Sequence, residues 1–226
     1  MANNVTNRLK INSDKETVLK IMDFLKGKGN DNNMTCYIDF NNIVPIPKEL
    51  MIESSSSGKH GLKYIMAMQQ KNYNSPEDLK IIQWIESLSE KEKKESIQLG
   101  KLYLRNKTQY GYPTWYEWTK ATWGTKWNAY NQDFEEPDVL WFDTAWNGVP
   151  LLIEKLSEIF PTVEFDYAYA DEYLGSNTGK GIAKGGEIRM NLPNDGSNEA
   201  FEIMFEVKPG ADKYFELTNE GYKWKT

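Results

Sequence analysis

Carboxylates are the side chains in this chain best placed to do chemistry. Asp143, Glu154, Glu164, Asp166, Asp171 and Glu172 all fall within residues 143–172. Paired acids can run hydrolysis or hold a hard divalent cation. Glu164 and Asp166 lie two apart in an alternating run, so they share one face of a strand, which is also how an ordinary solvated face looks. Asp143 with the Asp171-Glu172 pair, near Trp141 and Trp146, is the one acidic constellation that could form a reaction centre. A carboxylate-dependent hydrolase is therefore one alternative function. Nucleophilic catalysis through histidine would have to use His60, the only one, in Gly58-Lys59-His60-Gly61 beside the serines Ser54 to Ser57. That setting reads as a loop with an idle histidine. One Cys and one His cannot complete a zinc site, so no metal is expected. Gly175 to Gly181 misses the phosphate-loop pattern. It has three residues rather than four between Gly175 and Gly179, and glycine after Lys180 where Ser or Thr is needed. It reads as a hairpin loop, and no cofactor is expected.

The densest feature is aromatic. Six of the eight tryptophans, Trp115, Trp118, Trp123, Trp127, Trp141 and Trp146, fall in a 32-residue stretch. Large aromatics dominate both cores and interfaces, so this stretch is the centre of the fold or the surface it uses. The core is the expected fate for most of them, with Trp123, Trp127 and Trp146 packed jointly where a helical insertion meets a sheet.

Charge is polarised along the chain. Residues 1–130 hold 19 Lys/Arg and 14 Asp/Glu, a net of +5, whereas residues 131–226 hold 8 and 19, a net of −11. Such a gradient can steer a charged partner. The single cysteine, Cys36, suits a reducing compartment. No apolar run reaches membrane-spanning length, and the N-terminus lacks an apolar signal segment. These features predict a soluble protein of the cytoplasm with no membrane partner.

The elements that must position these residues follow from hydrophobic period. Val5, Leu9 and Ile11 predict a first strand. Ser13 and Glu16 form a capping-box pattern opening a helix with Val18, Ile21, Met22 and Leu25 on one face. Met34, Cys36, Ile38 and Phe40 alternate as a second strand, with Cys36 buried and inert. Helical signals dominate after Pro47. Ser75-Pro76 and Ser89 with Glu92 are strong starts, and Thr114 with Glu117 suggests another. Leu79, Ile82 and Ile85 are the expected buried stripe of the Ser75 helix. Val139 to Thr144 predicts a strand, Pro150 to Phe160 a helix, and Val163 to Tyr169, Ile188 to Leu192 and Phe201 to Val207 further strands. With the helical block set aside, β-α-β-β-α-β remains. The predicted fold is α+β: a ferredoxin-like split β-α-β sheet, residues 1–47 and 123–226, with a helical insertion at 48–122 between its second and third strands and an added C-terminal β-hairpin.

Two tryptophan motifs sharpen this. Trp123-Gly124-Thr125-Lys126-Trp127-Asn128-Ala129 and Phe142-Asp143-Thr144-Ala145-Trp146 resemble the signature of the YubB/Api-type ferredoxin-like family of phage, prophage and plasmid proteins. Asn7-Arg8-Leu9, Ile43 to Pro47, Leu156-Ser157 with Phe160-Pro161, and Asp171-Glu172 are similar to other parts of that family. Asn147-Gly148-Val149-Pro150 departs from it, because the family usually has Ser-Pro-Pro after Thr-Ala-Trp. The resemblance implies a mobile-element origin and this fold, and it brings no activity with it.

The leading functional expectation is a non-catalytic mobile-element protein. It would bind a host or element protein with a basic surface and inhibit a defence system of the anti-CRISPR or anti-restriction type. Candidate binding residues are Trp123, Lys126, Trp127, Asp143, Trp146, Asp171 and Glu172, together with an acidic outward face of Glu164, Asp166, Glu202 and Glu206. That face would repel phosphate, so the competing reading, nucleic-acid binding, would use the basic helical region.

Overall fold

The structure is a computed structural model that describes residues 3–28, 36–70 and 75–225. The chain divides into two compact units, Met1–Pro45 with Thr119–Thr226, and Ile46–Trp118.

The second unit is helical. Ser75 caps α4 (Pro76–Ser87), and Ser89 with Glu92 forms the expected capping box on α5 (Glu90–Tyr110). The helix before them, α3 (Ser56–Gln70), starts inside the serine run that reads as a loop, with Ser55 Oγ accepting from the Gly58 amide at 3.2 Å. Helices α3 and α5 meet at two glycines. A Cβ on Gly61 would lie 2.0 Å from the Ser96 carbonyl oxygen, and one on Gly100 would lie 2.3 Å from the Gly61 carbonyl carbon. Only glycine permits that approach. The buried positions of α4 are Ile81 and Ile85, while the expected Leu79 is exposed. His60 packs edge-on against Trp84, ring centroids 4.7 Å apart. A histidine held against an indole in this way is a packing residue.

The first unit is built on a six-stranded antiparallel sheet ordered β2-β3-β1-β4-β5-β6. Its strands are β1 (Asn4–Asn12), β2 (Tyr130–Glu135), β3 (Val139–Ala145), β4 (Glu164–Asp171), β5 (Gly179–Lys184) and β6 (Glu187–Asn191). Alternation sorts each strand into two faces. One face carries Val5, Asn7, Leu9, Phe142, Phe165 and Tyr167, buried beneath α1 (Lys15–Leu25) and α7 (Pro150–Ile159), which touch through Phe24 and Phe160. Ala168 and Ala170 open onto the other face, where α8 (Asn198–Val207) lays down Phe201, Met204 and Val207. A separate two-stranded sheet, β7 (Phe215–Thr218) and β8 (Gly221–Trp224), packs Phe215 and Tyr222 against α8. The fold is the expected ferredoxin-like α+β class, with β1-α1-β2-β3-α7-β4 as its β-α-β-β-α-β unit.

Several elements differ from expectation, each for a local reason. The second strand of the unit is Tyr130–Glu135, after the helical residues, so they interrupt the α1-to-β2 connection rather than the β2-to-β3 one. Met34 and Thr35 lie outside the described residues. Cys36 to Asp39 have no ladder partner, and Phe40 opens the short helix α2 (Phe40–Ile43), capped by Asp39. The Gln132 side chain accepts from the Ile38 amide and donates to its carbonyl, both at 2.9 Å, and Asn128 accepts from Phe40. Side-chain amides thus satisfy the backbone that a strand neighbour would have paired. Alternation there reports burial of Ile38 and Phe40, not strand state.

Residues 201–207 are helix, not strand. Ser197 Oγ caps Ala200, and Ala200, Phe201, Met204 and Val207 fall at helical spacing. Helix α1 is capped by Asp14, one residue beyond the expected Ser13.

Beneath α7 lies a buried polar network. Asn7 Nδ2 donates to Val5 O, Phe142 O and Thr144 Oγ1 at 2.9, 3.2 and 2.8 Å. Its Oδ1 accepts from the Tyr167 hydroxyl at 2.5 Å, and that hydroxyl accepts from the Val149 amide at 2.6 Å. Burial pushes the Tyr167 hydroxyl well above its ordinary 10.0. The unfolded chain therefore ionises first, and this contribution to stability is intact below pH 10 and lost as pH rises beyond it. The urea midpoint should fall steeply above about pH 10, and less steeply in Tyr167→Phe. Equal slopes in the two proteins would assign the alkaline loss to other groups.

Candidate binding site

The two tryptophan motifs dock on one another through a threonine. Thr125 Oγ1 donates to the Ala145 carbonyl at 2.8 Å and accepts from the Ala145 amide at 3.1 Å, both buried. Gly124, at φ +82°, turns the chain out of α6 (Trp115–Thr122) into this contact. Trp123 and Trp127 are thereby separated. Trp123 is 2% exposed, edge-on to Phe40 at 5.5 Å, with Nε1 donating to Val44 O at 2.9 Å. Trp127 is 43% exposed and stacks on Trp146, centroids 6.4 Å apart and planes 22° apart. The expected joint packing of all three therefore splits into a core residue and a surface pair. Lys126 Nζ lies 4.5 Å from the Trp127 ring centroid and 5.5 Å from that of Trp146, close enough for cation–π attraction.

Trp146 adopts φ +72°, a left-handed conformation costly for a bulky residue. The carboxylate of Asp171 supports it. This side chain is 4% exposed and accepts from Asn3, from the Tyr173 amide and from Asn177, whose Nδ2 also donates to Trp146 O at 2.9 Å. Asp171 therefore acts as a structural anchor. It also faces the α1 and α7 side of the sheet, whereas Asp143 pairs across from Thr6 on the α8 side. Asp143 accepts from Asn131, and Glu172 binds the Asn4 amide and side chain. The constellation that could have been a hydrolytic pair is thus divided between two faces, and no group of three or more His, Cys, Asp or Glu among the described residues could hold a metal ion. Nearby, burial draws the Lys208 ammonium below the ordinary amine range, with Asp171, Asp143 and Glu172 opposing.

The remaining acids line a groove of about 900 Å³ between α8 and strands β4 to β6. Glu202 and Glu206 reach it from a helix and not from a sheet face, and the face itself is mixed in charge. Arg8 contacts Glu206 at 3.2 Å and Asp166 at 3.9 Å, and Lys180 contacts Glu206 at 2.7 Å. The lining still holds six carboxylates, Glu164, Asp166, Glu187, Glu199, Glu202 and Glu206, against three cations, Lys180, Lys184 and Arg189. Asp166 Oδ1 is buried and has no hydrogen-bond partner among the described residues. Sequence reasoning picked out four of the six acids but missed the cations and Glu187 and Glu199. Their common location depends on the β5–β6 hairpin and on α8 being a helix.

This arrangement defines a ferredoxin-like α+β protein with an open, acid-rich groove on one face of its sheet. Residues 122–208 match the family model of the ferredoxin-like domain in Api92-like protein, a segment that includes both tryptophan motifs whose sequence resembles the Api-type family. The match takes in both motifs, the Asp171 anchor and the groove. Among solved structures, the crystal structure of a protein api92 from Yersinia pseudotuberculosis is similar at a TM-score of 0.42 and 10% identity, covering 86% of this chain and 99% of that one. No curated protein matches the chain. Among the described residues, no helix is long and apolar enough to cross a membrane.

Proposed function

We propose that this is a non-catalytic binding protein that receives a basic segment of a partner protein in the groove between α8 and the sheet. The observation that carries this reading is the lining: six carboxylates against three cations, an excess of acids that remains when Arg8, paired with Glu206 and Asp166, is counted as well. Helix, hairpin and strand fix these groups, so an incoming Lys or Arg meets a preformed field. The biological setting we attach to it is interference with a host defence system in the host cytoplasm. The support for that setting is the phage, prophage and plasmid distribution of the family the sequence resembles.

The test uses a fluorescent peptide of alternating Thr and Arg, followed by anisotropy at low and high salt. Wild type should bind it with marked salt sensitivity. Glu164→Gln with Glu202→Gln should weaken binding by about tenfold, on the scale of two rim charges. Stability should change by no more than about 0.5 kcal/mol, as for surface substitutions. Absence of binding by wild type at low salt, or equal binding by the variant, would remove the groove reading. In a host lysate, the same variant should lose whichever protein wild type retains.

A further inference from the structure

The groove ends at an open sheet edge. Strand order places β2 and β6 at the two margins. The β2 margin is irregular: its register with β3 shifts between Tyr130 and Asp133, and Asn131 sits at φ +48°. Such a bulge blunts an edge against further pairing. By contrast β6 runs in unbroken register with β5, from Lys184↔Glu187 to Lys180↔Asn191.

The backbone direction of β6 follows from its turn. Gly185 and Gly186 both have positive φ, +61° and +85°, and they form the two-residue connection of the hairpin. In a two-residue hairpin the flanking pair, Lys184 and Glu187, is hydrogen-bonded, and bonded pairs alternate from there. Glu187, Arg189 and Asn191 therefore turn their amides and carbonyls toward β5. Consistently, a Cβ on Gly181 would lie 2.3 Å from the Arg189 carbonyl oxygen. The amides and carbonyls of Ile188 and Met190 point out of the sheet, and outside the ladder neither residue makes a backbone hydrogen bond among the described residues.

Side chains alternate with the opposite consequence. Ile188 and Met190 are half-buried, while Glu187, Arg189 and Asn191 line the groove. At the far end of β6, Asn191 donates to Glu199 of α8 at 2.6 Å, which ties the strand to the acidic wall.

We propose that the partner's basic segment binds as a seventh strand, antiparallel to β6, with alternate Lys or Arg side chains turned into the groove. This rests on the groove reading above and specifies its geometry. Main-chain bonds to Ile188 and Met190 supply affinity, and the period of two turns every second side chain to the groove side, where Glu187 of β6 and Glu199 and Glu202 of α8 stand. Residues opposite Ile188 and Met190 put their amides toward β6 and their side chains away from the groove. The basic residues do the reverse.

N-methylation of the alternating Thr–Arg peptide separates the possibilities. Methylating the Thr amides removes the donors aimed at β6 and should weaken binding by at least about tenfold, the worth of several hydrogen bonds. Methylating the Arg amides removes donors aimed at solvent and should leave affinity within about twofold. Binding of the unmodified peptide should also slow hydrogen exchange at the Ile188 and Met190 amides. If the unmodified peptide does not bind, both readings fall. If it binds, but both methylated peptides bind equally well or the Arg-methylated one is the weaker, the groove stands and antiparallel addition to β6 is overturned. Unprotected Ile188 and Met190 amides in the complex would overturn it equally.

Discussion

Trp123→Ala should destabilise the protein by about 3–5 kcal/mol, the usual cost of truncating a buried tryptophan, whereas Trp127→Ala should leave the melting temperature close to that of wild type. The two residues are four apart in one motif, yet their surroundings are opposite. Trp123 is 2% exposed and in edge contact with Phe40, which in turn contacts Phe142 of β3. Its removal opens a cavity at the sheet's inner face and leaves the Val44 carbonyl without its indole donor. Trp127, 43% exposed, loses only its stacking on Trp146 and the ammonium of Lys126. Urea denaturation of the two variants checks this. Comparable losses in both would mean that Trp127 also belongs to the core, and wild-type stability in Trp123→Ala would contradict its placement there.

The second large effect belongs to Asn7. Both ends of its side-chain amide are engaged inside the sheet, the Nδ2 group with Val5, Phe142 and Thr144 and the Oδ1 with Tyr167. Asn7→Ala leaves these groups buried without their partner, and each such group costs about 1–3 kcal/mol. A total loss of about 3 kcal/mol or more is expected, because not every stranded group can be re-solvated. Tyr167→Phe should cost less, since it strands only Asn7 Oδ1 and the Val149 amide. The double variant should be less destabilised than the sum of the singles, because both remove the same bond. Additivity in that cycle would show that the two side chains act independently, contrary to the 2.5 Å contact between them.

Some of this architecture was legible because it is encoded locally. Ser75-Pro76 and Ser89 with Glu92 start helices by hydrogen bonds within four residues, so their reading needs nothing distant. The alternation of Val5 to Ile11 and of Val163 to Tyr169 reports a face buried along a whole strand. Residues 36–40 and 201–207 misled for the same reason as each other. A short apolar alternation states which side chains are buried, but burial can be reached by coil held by Gln132 and Asn128, or by a helix lying on Ala168 and Ala170.

From the sequence by itself came the α+β class, the tryptophan motifs with their family resemblance, and the acids near the sheet. Tertiary structure alone decided what those residues do together. It buried Trp123 and exposed Trp127 because Gly124 and Thr125 turn the chain between them and bind Ala145. It placed Asp143 and Asp171 on opposite faces, because strand pairing fixes the parity of each position. It gathered Glu164, Asp166, Lys180, Arg189 and Glu202 into one groove from four elements. Side chains so far apart in the chain meet only when sheet register and helix placement are set, and neither is a local property.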